Sequence, residues 1–430
     1  MNKVCSLHRK YGGKIEVLPK CPVRSLSDFS YWYTPGVAEP TKEIAENPEK
    51  VFEYTNKWNT VAIVTDGSRV LGLGDVGALA SLPVMEGKAM IFKLLGGVDA
   101  FPIPISEKDP ERFIEIVKKI TPAFGGINLE DIATPKCFYI LERLQNELEI
   151  PVWHDDQLGT ATATLAGLIN ALKLVGKSID EIEVAIIGAG AANVATIKLL
   201  AKAGADLKKF FVVDSRGILN SHREDLEKLR VTNPEKFWIC MQTNAEQRTG
   251  GIEDAMRGVD VVIAASTGGI IKKEFISKMA DDAIVFALAN PIPEIYPHEA
   301  KEAGARIVGT GRSDFPNQIN NSLVFPGVFR GVLSVRAKRI TEEICLTAAH
   351  TLARLAESRL NEDYIIPKMT EIHVFPEVAT AVSMKAIDLG LAKRLFTPAE
   401  LYEHSCKLIF GSHEKLRKLM ELGYIGSEIY

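Results

Sequence analysis

Short apolar runs separated by stretches of helical periodicity dominate the hydrophobic pattern of the chain. In the first 160 residues, the runs 61–64, 123–129 and 151–154 predict strands, and the amphipathic stretch 111–120 predicts a helix. A helical stretch at 160–175 is followed by a second series of predicted strands, at 183–187, 210–213, 259–264, 283–288 and 306–308. Apolar strands that alternate with helices predict an α/β fold with parallel sheets covered on both faces.

Three further segments have a less regular pattern. The run 70–73 follows a turn signal at 65–68, so it could form a hairpin with the first strand. Residues 88–95 predict a helix, and the apolar segment 100–105 after it is interrupted by prolines. Beyond about residue 340 the pattern is mainly helical.

A glycine-rich segment, Gly188-Ala189-Gly190-Ala191-Ala192-Asn193, follows an apolar strand and opens a helix. This context is typical of a dinucleotide-binding turn, in which the glycines let a pyrophosphate approach backbone N–H groups at a helix N-terminus. Asp214 ends the next predicted strand, where a carboxylate can bind ribose hydroxyls and favour NAD. Arg216 could instead meet the 2′-phosphate of NADP. The alternative is a purely structural strand–helix turn, and Asn193 stands where Gly or Ala is usual.

Two carboxylate pairs, Glu130-Asp131 and Asp155-Asp156, each follow a predicted strand. Neighbouring side chains of a strand point to opposite faces, so such a pair can bind one ion only where the chain has left strand geometry. Oxygen ligands without a matching His or Cys favour Mg²⁺ or Mn²⁺ over zinc. The alternatives are a helix N-cap for Asp156 and a solvated strand end for Glu130-Asp131.

Lys88 and Tyr33 are candidates for proton transfer. Lys88 is followed by apolar residues, and a partly desolvated lysine can act as a base. Lys93 lies about 140° further round a helix, so both lysines should not face one site. Tyr33 precedes a Thr-Pro-Gly turn that could present its phenol. A snorkelling lysine and a packing tyrosine are the alternatives.

Composition narrows the function classes. The chain has 430 residues, with 55 acidic and 51 basic residues and a formal net charge of −4, and no basic cluster suggests nucleic acid as a partner. The six cysteines are scattered, which favours free thiols in a reducing compartment. We find no signal-like segment and no run of about 18 apolar residues, so we expect a cytoplasmic protein that does not cross a membrane.

Several motifs, in order along about 300 residues, resemble the short bacterial and archaeal form of the malic enzyme family. They are Tyr-Thr-Pro-Gly-Val-Ala at 33–38, Asp-Gly-Ser-Arg-Val-Leu-Gly-Leu-Gly-Asp at 66–75, Pro-Val-Met-Glu-Gly-Lys at 83–88, Asn-Leu-Glu-Asp at 128–131, His-Asp-Asp-Gln-Leu-Gly-Thr at 154–160, the glycine turn at 188–190, Phe-Ala-Leu-Ala-Asn-Pro at 286–291 and Asn-Asn-Ser-Leu-Val-Phe-Pro-Gly at 320–327. The first and fifth of these are specific in combination, whereas the glycine turn alone is not.

The resemblance implies a role for each matching residue. Those implied to hold a divalent metal are Glu130, Asp131 and Asp156. Lys88 would be the general base and contact substrate, with Asp155 beside it, and Tyr33 would be the general acid. Asn290, Asn321 and Arg69 would bind substrate carboxylates, and Asn290 would also meet the cofactor. Asn193 departs from the family pattern, and the resemblance implies that this departure affects the packing around the cofactor rather than the chemistry.

The resemblance also implies an activity and an architecture. We expect oxidative decarboxylation of L-malate to pyruvate and CO₂ with NAD, or alternatively NADP, and with Mg²⁺ or Mn²⁺. The expected domains are a catalytic α/β domain at 1–160, a Rossmann-type doubly wound domain at 161–385 and a helical segment at 386–430. A homodimer or larger homo-oligomer is expected, and whether Tyr33 serves the partner subunit stays open.

Three rival functions remain compatible with the residues alone. One is another dehydrogenase on a similar two-domain plan, which would not need three carboxylates around an ion. The second is a catalytically silent nucleotide sensor, and the third is a metal-dependent oxaloacetate decarboxylase without net redox chemistry. Metal dependence and cofactor dependence of turnover distinguish these rivals from the expected activity.

Overall fold

The computed structural model describes residues 3–426 and contains two mainly parallel β-sheets surrounded by helices. The strands are β1 (Thr60–Thr65), β2 (Asp99–Pro104), β3 (Gly126–Leu129), β4 (Val152–His154), β5 (Val184–Ile187), β6 (Phe210–Asp214), β7 (Gly217–Ile218), β8 (Val261–Ala264), β9 (Ile284–Ala287) and β10 (Ile307–Thr310). The predicted α/β class with a doubly wound parallel sheet is confirmed.

The helices vary from single turns to more than twenty residues. They are α1 (Lys3–Tyr11), α2 (Phe29–Trp32), α3 (Ala38–Glu46), α4 (Val51–Tyr54), α5 (Gly77–Gly96), α6 (Pro110–Ile120), α7 (Lys136–Glu147), α8 (Thr160–Val175), α9 (Ala191–Lys202), α10 (Leu226–Thr232), α11 (Pro234–Gln242), α12 (Ile252–Met256), α13 (Lys273–Ile276), α14 (Pro297–Glu302), α15 (Phe325–Ser334), α16 (Glu342–Ala356), α17 (Val374–Asp388) and α18 (Pro398–Glu421).

The first sheet has the order β2-β1-β3-β4, with every pair parallel. All six residues of β1 are buried, as expected for a central strand covered on both faces. The proline-containing segment 100–105 proves to be mostly strand, because β2 lies at the sheet edge. Pro102 and Pro104 lack an N–H group, and an edge strand needs no donor on its outer side.

The second sheet has the order β10-β9-β8-β5-β6-β7. Its strands pair in parallel except for the two-residue β7, which is antiparallel to β6. The chain moves outward from β5 in one direction to β6 and then returns to build β8, β9 and β10 on the other side. Ligands of open α/β sheets bind at the carboxyl ends of the strands beside such a reversal.

Helix α8 lies in the core of the protein. The run Asp155–Val175 is long and apolar enough to cross a membrane, but 67% of its most apolar window is buried inside the structure. Asn170 in this helix donates hydrogen bonds to the carbonyls of Ala353 and Ile365, at 2.8 and 2.9 Å. The hydrophobicity of the run is therefore used in packing against other parts of the chain.

The hairpin predicted for 70–73 is wrong. The segment Leu71–Leu73 forms a single 3₁₀ turn, and Leu71 has a left-handed φ of 46°. Parallel strands β2 and β3 already occupy both edges of β1, so no hydrogen-bonding position is free for an antiparallel partner. The chain instead leaves the sheet and leads into α5.

Helices from the last quarter of the chain pack against α5. Phe92 of α5 contacts Phe325 and Phe329 of α15, with ring centroids 4.6 and 5.2 Å apart. Helix α18 approaches the C-terminal end of α5, where Gly97 adopts a left-handed φ of 62°. A Cβ on Gly97 would lie 2.8 Å from Cβ of Leu408 in α18.

We predict that Gly97→Ala destabilises the protein by about 1–3 kcal/mol, because alanine disfavours this φ and its methyl group would press on α18. The matched control is Gly411→Ala within α18, where a Cβ meets no atom within 4 Å. That change should raise the free energy of unfolding by about 0.5–1 kcal/mol, since alanine is the better helix former. Denaturant unfolding measures both, and equal stability of Gly97→Ala and the unmodified protein would contradict the packing described.

Candidate active site

The predicted carboxylates meet at the carboxyl edge of the first sheet. Glu130 and Asp131 follow β3, whereas Asp155 and Asp156 follow β4. These strands are paired in parallel, so both carboxylate pairs emerge at the same edge. Lys88 reaches them from α5, which passes this edge before the chain enters β2.

Lys88 is buried and paired with two carboxylates. Its Nζ lies 2.7 Å from Glu130 Oε1 and donates a hydrogen bond to Asp155 Oδ2. Burial alone would lower the pKa of Lys88, but attraction by Asp155 and Glu130 outweighs it, so the pKa of Lys88 is raised. Lys93 does not share this site, as the helical spacing predicts, and is paired with Asp99 at 2.7 Å. The snorkelling alternative for Lys88 is therefore wrong.

Glu130, Asp131 and Asp156 each offer a carboxylate oxygen within 4.8 Å of the others. Asp131 has a left-handed φ of 54°, and its N–H donates to Asp156 Oδ2 at 2.8 Å. The chain thus leaves strand geometry between Glu130 and Asp131, which is the condition for two neighbouring acids to face one ion. A non-glycine residue in this conformation costs on the order of 1 kcal/mol, and such strain is common at functional sites.

The electrostatics of this cluster suit a divalent cation. Burial, followed by the charge of Asp156, raises the pKa of Asp131 to about 8. Burial also raises the pKa of Glu130 well above its usual value, although Lys88 opposes the shift. Asp131 Oδ2 is buried and has no hydrogen-bond partner among the described residues. Three crowded carboxylates with an unpartnered oxygen match the oxygen ligand set of Mg²⁺ or Mn²⁺.

Two residues without a predicted role, Trp153 and Asn128, orient the site carboxylates. Trp153 donates its indole N–H to Asp155 Oδ1 at 2.8 Å, and Asn128 donates its amide to Glu130 Oε2 at 2.9 Å. Each lies two residues before its carboxylate, and side chains at that spacing share one face of a strand. The two-residue period of a strand could therefore have identified Trp153 and Asn128 from the sequence. The Phe325 ring, centred 4.5 Å from Lys88 Nζ, carries no such local signal.

A second network fixes the loop after β1 against the loop after β3. Buried Asp66 accepts hydrogen bonds from the N–H and hydroxyl of Ser68 and is paired with Lys136. The Arg69 N–H donates to the carbonyl of Asp131 at 3.0 Å, while the Arg69 side chain is exposed. The backbone of Arg69 therefore lies beside the carboxylate cluster.

The glycine turn at 188–190 adopts the geometry of a dinucleotide-binding turn. Gly188 has a φ of 101°, and a Cβ there would lie 2.9 Å from the carbonyl oxygen of Ala265. Helix α9 begins directly after Gly190 with Ala191 and Ala192, so its N-terminal N–H groups lie at the carboxyl edge of the second sheet. Asn193 is buried, and its amide donates to the carbonyls of Ile187 and Gly188, both at 2.9 Å. Its larger side chain therefore ties the helix to the end of β5.

Asp214 ends β6 as predicted but already has several partners. Its carboxylate accepts hydrogen bonds from the Arg216 N–H, from Arg223 and from Lys236, at 2.9, 3.0 and 3.1 Å. Burial opposes ionisation, but Arg223 and the other donors outweigh it and lower the pKa of Asp214. The Arg216 guanidinium is paired with Asp225 at 3.0 Å.

The remaining predicted residues differ in how closely they approach the site. A Cβ on Gly159 would overlap with Asp155 Oδ1 and would lie 2.8 Å from Asn321 Cβ, so Asn321 packs against the Asp155 segment. A Cβ on Gly72 would lie 3.2 Å from the Asn290 carbonyl oxygen, which places Asn290 against the loop after β1. Tyr33 is different, because it is 68% exposed and the described contacts include no hydrogen bond from its hydroxyl to this site.

The chain is similar to known proteins along most of its length. Residues 12–145 match the malic enzyme N-terminal domain, and residues 158–387 match the malic enzyme NAD-binding domain. The chain is 49% identical to a bifunctional malic/malolactic enzyme of Bacillus subtilis, over 94% of this chain and 97% of that protein. It is 50% identical to an NAD-dependent malic enzyme of Geobacillus stearothermophilus, over 89% of this chain and 78% of that protein.

A solved structure shows the same fold. The crystal structure of a malic enzyme from Pyrococcus horikoshii superposes with a TM-score of 0.92 at 50% identity, covering 97% of this chain and 98% of that one. The two matched domains together span most of the 430 residues. The chain therefore belongs to the malic enzyme family.

Proposed function

We propose that this protein oxidises and decarboxylates L-malate to pyruvate and CO₂ while reducing NAD(P)⁺. The observation that carries the proposal is the buried Lys88, which lies between Asp155 and Glu130 at the edge of a three-carboxylate cluster. A basic side chain and a cation site are thus held side by side, as a substrate with neighbouring hydroxyl and carboxylate groups requires. The family assignment supports the same reaction.

Glu130, Asp131 and Asp156 are the residues that would hold Mg²⁺ or Mn²⁺. When bound, the cation would polarise the oxygen on C2 of the substrate and offset the charge of the three carboxylates. Asp131 presents its unpartnered Oδ2, and Asn128 holds Glu130 in place. The backbone N–H of Asp131 fixes the third carboxylate, Asp156.

The turn 188–193 and the N-terminus of α9 would hold the pyrophosphate of the dinucleotide. When bound, the dinucleotide would supply the hydride acceptor. Asp214 supports NAD, because its carboxylate can accept hydrogen bonds from the ribose hydroxyls. Arg223 and Lys236 compensate its charge, which reduces the repulsion of a 2′-phosphate, so we propose that NAD is preferred and NADP is also accepted.

In this proposal Lys88 accepts the proton of the C2 hydroxyl. A cation held by the carboxylates would offset the charge of Glu130 and so remove part of the attraction that raises the pKa of Lys88. Asp155 keeps the Nζ of Lys88 in place and is itself held by the Trp153 indole. Asn290, Asn321 and Arg69 bind the substrate carboxylates. Loss of CO₂ leaves a carbanion-like C3 that needs one proton to give pyruvate.

Tyr33 supplies that proton, and we propose that it does so from the partner subunit of a homodimer. Its side chain is exposed in the single chain, and α1 and α2 contain no buried residue. Leu26, Tyr31 and Trp32 around it are also 49–86% exposed. An apolar segment of this kind is typical of a surface that a second protein chain covers.

An assay of malate oxidation tests the proposed reaction. With L-malate and Mn²⁺, we expect NAD(P)H, pyruvate and CO₂ in equal amounts, with NAD⁺ the better substrate and no turnover after EDTA treatment. The measurements are absorbance at 340 nm and product analysis that includes lactate, since one relative is named a malic/malolactic enzyme.

Other products would contradict the proposal in distinct ways. Reduction that stops at oxaloacetate would make the protein a simple malate dehydrogenase. Turnover that survives EDTA would remove the role of the carboxylate cluster, and decarboxylation of oxaloacetate without any malate oxidation would remove the role of the dinucleotide.

Lys88→Arg should lower kcat by about 10²–10⁴-fold, because a guanidinium keeps its proton and cannot serve as a base. The change preserves the positive charge between Asp155 and Glu130, so the protein should remain folded. Lys93→Arg is the matched control, since it makes the same replacement five residues away on the same helix. Steady-state kinetics with circular dichroism measures both variants. Full activity of Lys88→Arg would exclude Lys88 as the base.

Mixed dimers test the origin of Tyr33. Tyr33→Phe and Lys88→Arg should each inactivate the homodimer, but coexpression should restore about one quarter of the wild-type turnover if each site combines residues from both subunits. One site of every mixed dimer would then be intact. If each subunit uses its own Tyr33, every site carries one defect, and the coexpressed protein should stay inactive.

A further inference from the structure

Glu294 is a fully buried carboxylate to which the proposed reaction assigns no role. It lies in the loop after β9, has 0% exposure, and forms no ion pair with a described residue. A buried carboxylate without a cation is costly unless hydrogen bonds stabilise it. The structure supplies such bonds from two neighbouring strand ends.

The two oxygens of Glu294 accept hydrogen bonds from different loops. Oε1 accepts from the Ser266 N–H at 2.6 Å, and Oε2 accepts from the Ala289 N–H at 3.0 Å. Ser266 follows β8 and Ala289 follows β9, so the carboxylate bridges the carboxyl ends of adjacent strands. This is the edge of the sheet where dinucleotides bind in open α/β folds.

Ser266 is in contact with the glycine turn. A Cβ on Gly188 would lie 3.2 Å from Ser266 Cβ, so the loop after β8 packs directly against the turn that would hold the pyrophosphate. A displacement of Ser266 therefore changes the space available beside Gly188. Glu294 Oε1 accepts the Ser266 N–H and so limits such a displacement.

Ala289 precedes Asn290, which is one of the residues proposed to meet substrate and cofactor. The same two loops are joined by backbone hydrogen bonds from Gly269 to Pro293 and from Ile271 to Glu294, at 2.9 and 3.0 Å. Those bonds fix the far ends of the loops. The Glu294 carboxylate joins Ser266 and Ala289, which lie close to the ends of β8 and β9 at the ligand edge.

We propose that Glu294 is a positioning residue that holds the loops 266–268 and 289–291 in the arrangement that binds the dinucleotide. The inference rests on the proposed function, since it assumes that the dinucleotide occupies this edge. Glu294 does not touch the reacting atoms, so its effect is on dinucleotide affinity through Ser266 and Asn290.

The test is titration calorimetry of NAD⁺ binding to Glu294→Gln, without malate or metal. Glutamine keeps the size of the side chain but replaces one acceptor oxygen with a donor, so one of the two N–H groups loses its partner. We expect the Kd for NAD⁺ to rise about tenfold, the value for about 1.4 kcal/mol of lost interaction. The KM for dinucleotide should rise in parallel.

Asp260→Asn is the matched control. Asp260 accepts a hydrogen bond from the Glu183 N–H at 2.8 Å and pairs with Lys177 at 2.7 Å, near the opposite end of β8. It is a carboxylate that joins neighbouring segments of the same sheet, but it lies away from the ligand edge. Asp260→Asn should leave the Kd for NAD⁺ unchanged even if it lowers the melting temperature.

The pH dependence of binding is an independent readout. Burial raises the pKa of Glu294 to about 7, against the hydrogen bonds from Ala289 and Ser266 that favour its ionised form. Above pH 7 the Glu294 carboxylate accepts hydrogen bonds from the Ser266 and Ala289 N–H groups. Protonation below pH 7 weakens these hydrogen bonds, and with them the link between the two loops. The Kd of the unmodified protein should therefore rise as the pH falls from 8 to 6, and that rise should be absent in Glu294→Gln.

An unchanged Kd in Glu294→Gln, or an equal rise in Asp260→Asn, would overturn the inference. If Glu294→Gln does not fold, the unmodified protein decides, because a flat Kd between pH 6 and 8 also overturns it. Failure of the proposed function is distinguishable. In that case the unmodified protein would bind no NAD⁺, or it would bind NAD⁺ normally and fail to oxidise malate.

Discussion

The pairing of Lys88 with Asp155 and Glu130 is the interaction on which the candidate site depends. A charge removed from water must be compensated, and leaving one member of such a group unpaired is strongly unfavourable. Lys88 comes from α5, while its partners follow β3 and β4, so the pairing links three elements that are distant in sequence. It places a basic group beside the carboxylate cluster in the folded chain.

The surrounding residues are arranged around that pairing. Trp153 donates a hydrogen bond to Asp155, and Asn128 donates one to Glu130. The ring of Phe325 covers the ammonium group of Lys88. Phe325 begins α15, which also packs on Phe92 of the lysine-bearing helix. The late helices of the chain therefore stabilise a site whose carboxylate cluster and lysine come from the first 160 positions.

Many of the strands and many of the residues of the candidate site could be predicted from local patterns in the sequence. Buried parallel strands are continuous apolar runs, so the predicted strands coincide with β1, β5 and β6 to within one residue at either end. The glycine turn and the carboxylates at strand ends were recognisable because fold topology brings the carboxyl ends of parallel strands together. The family resemblance assigned roles that spacing alone left open, and the comparisons confirm the family itself.

Other features depend on contacts that no local pattern contains. The pattern of the run 70–73 predicts a hairpin with β1, but β2 and β3 occupy both sides of β1 in the sheet. Glu294 follows a proline-rich loop, which is a context typical of a surface acid. Only the folded chain places the N–H groups of Ser266 and Ala289 beside its carboxylate. The left-handed conformation of Asp131 likewise emerges only from its contacts with the neighbouring loops.

The most direct measurement of the central claim is anomalous diffraction from a crystal grown with Mn²⁺, NADH and a malate analogue that is not turned over. The account predicts one manganese peak ligated by oxygens of Glu130, Asp131 and Asp156 at about 2.0–2.4 Å, with the analogue between the metal and Lys88 Nζ. A manganese peak elsewhere, or an analogue bound away from Lys88, would contradict it.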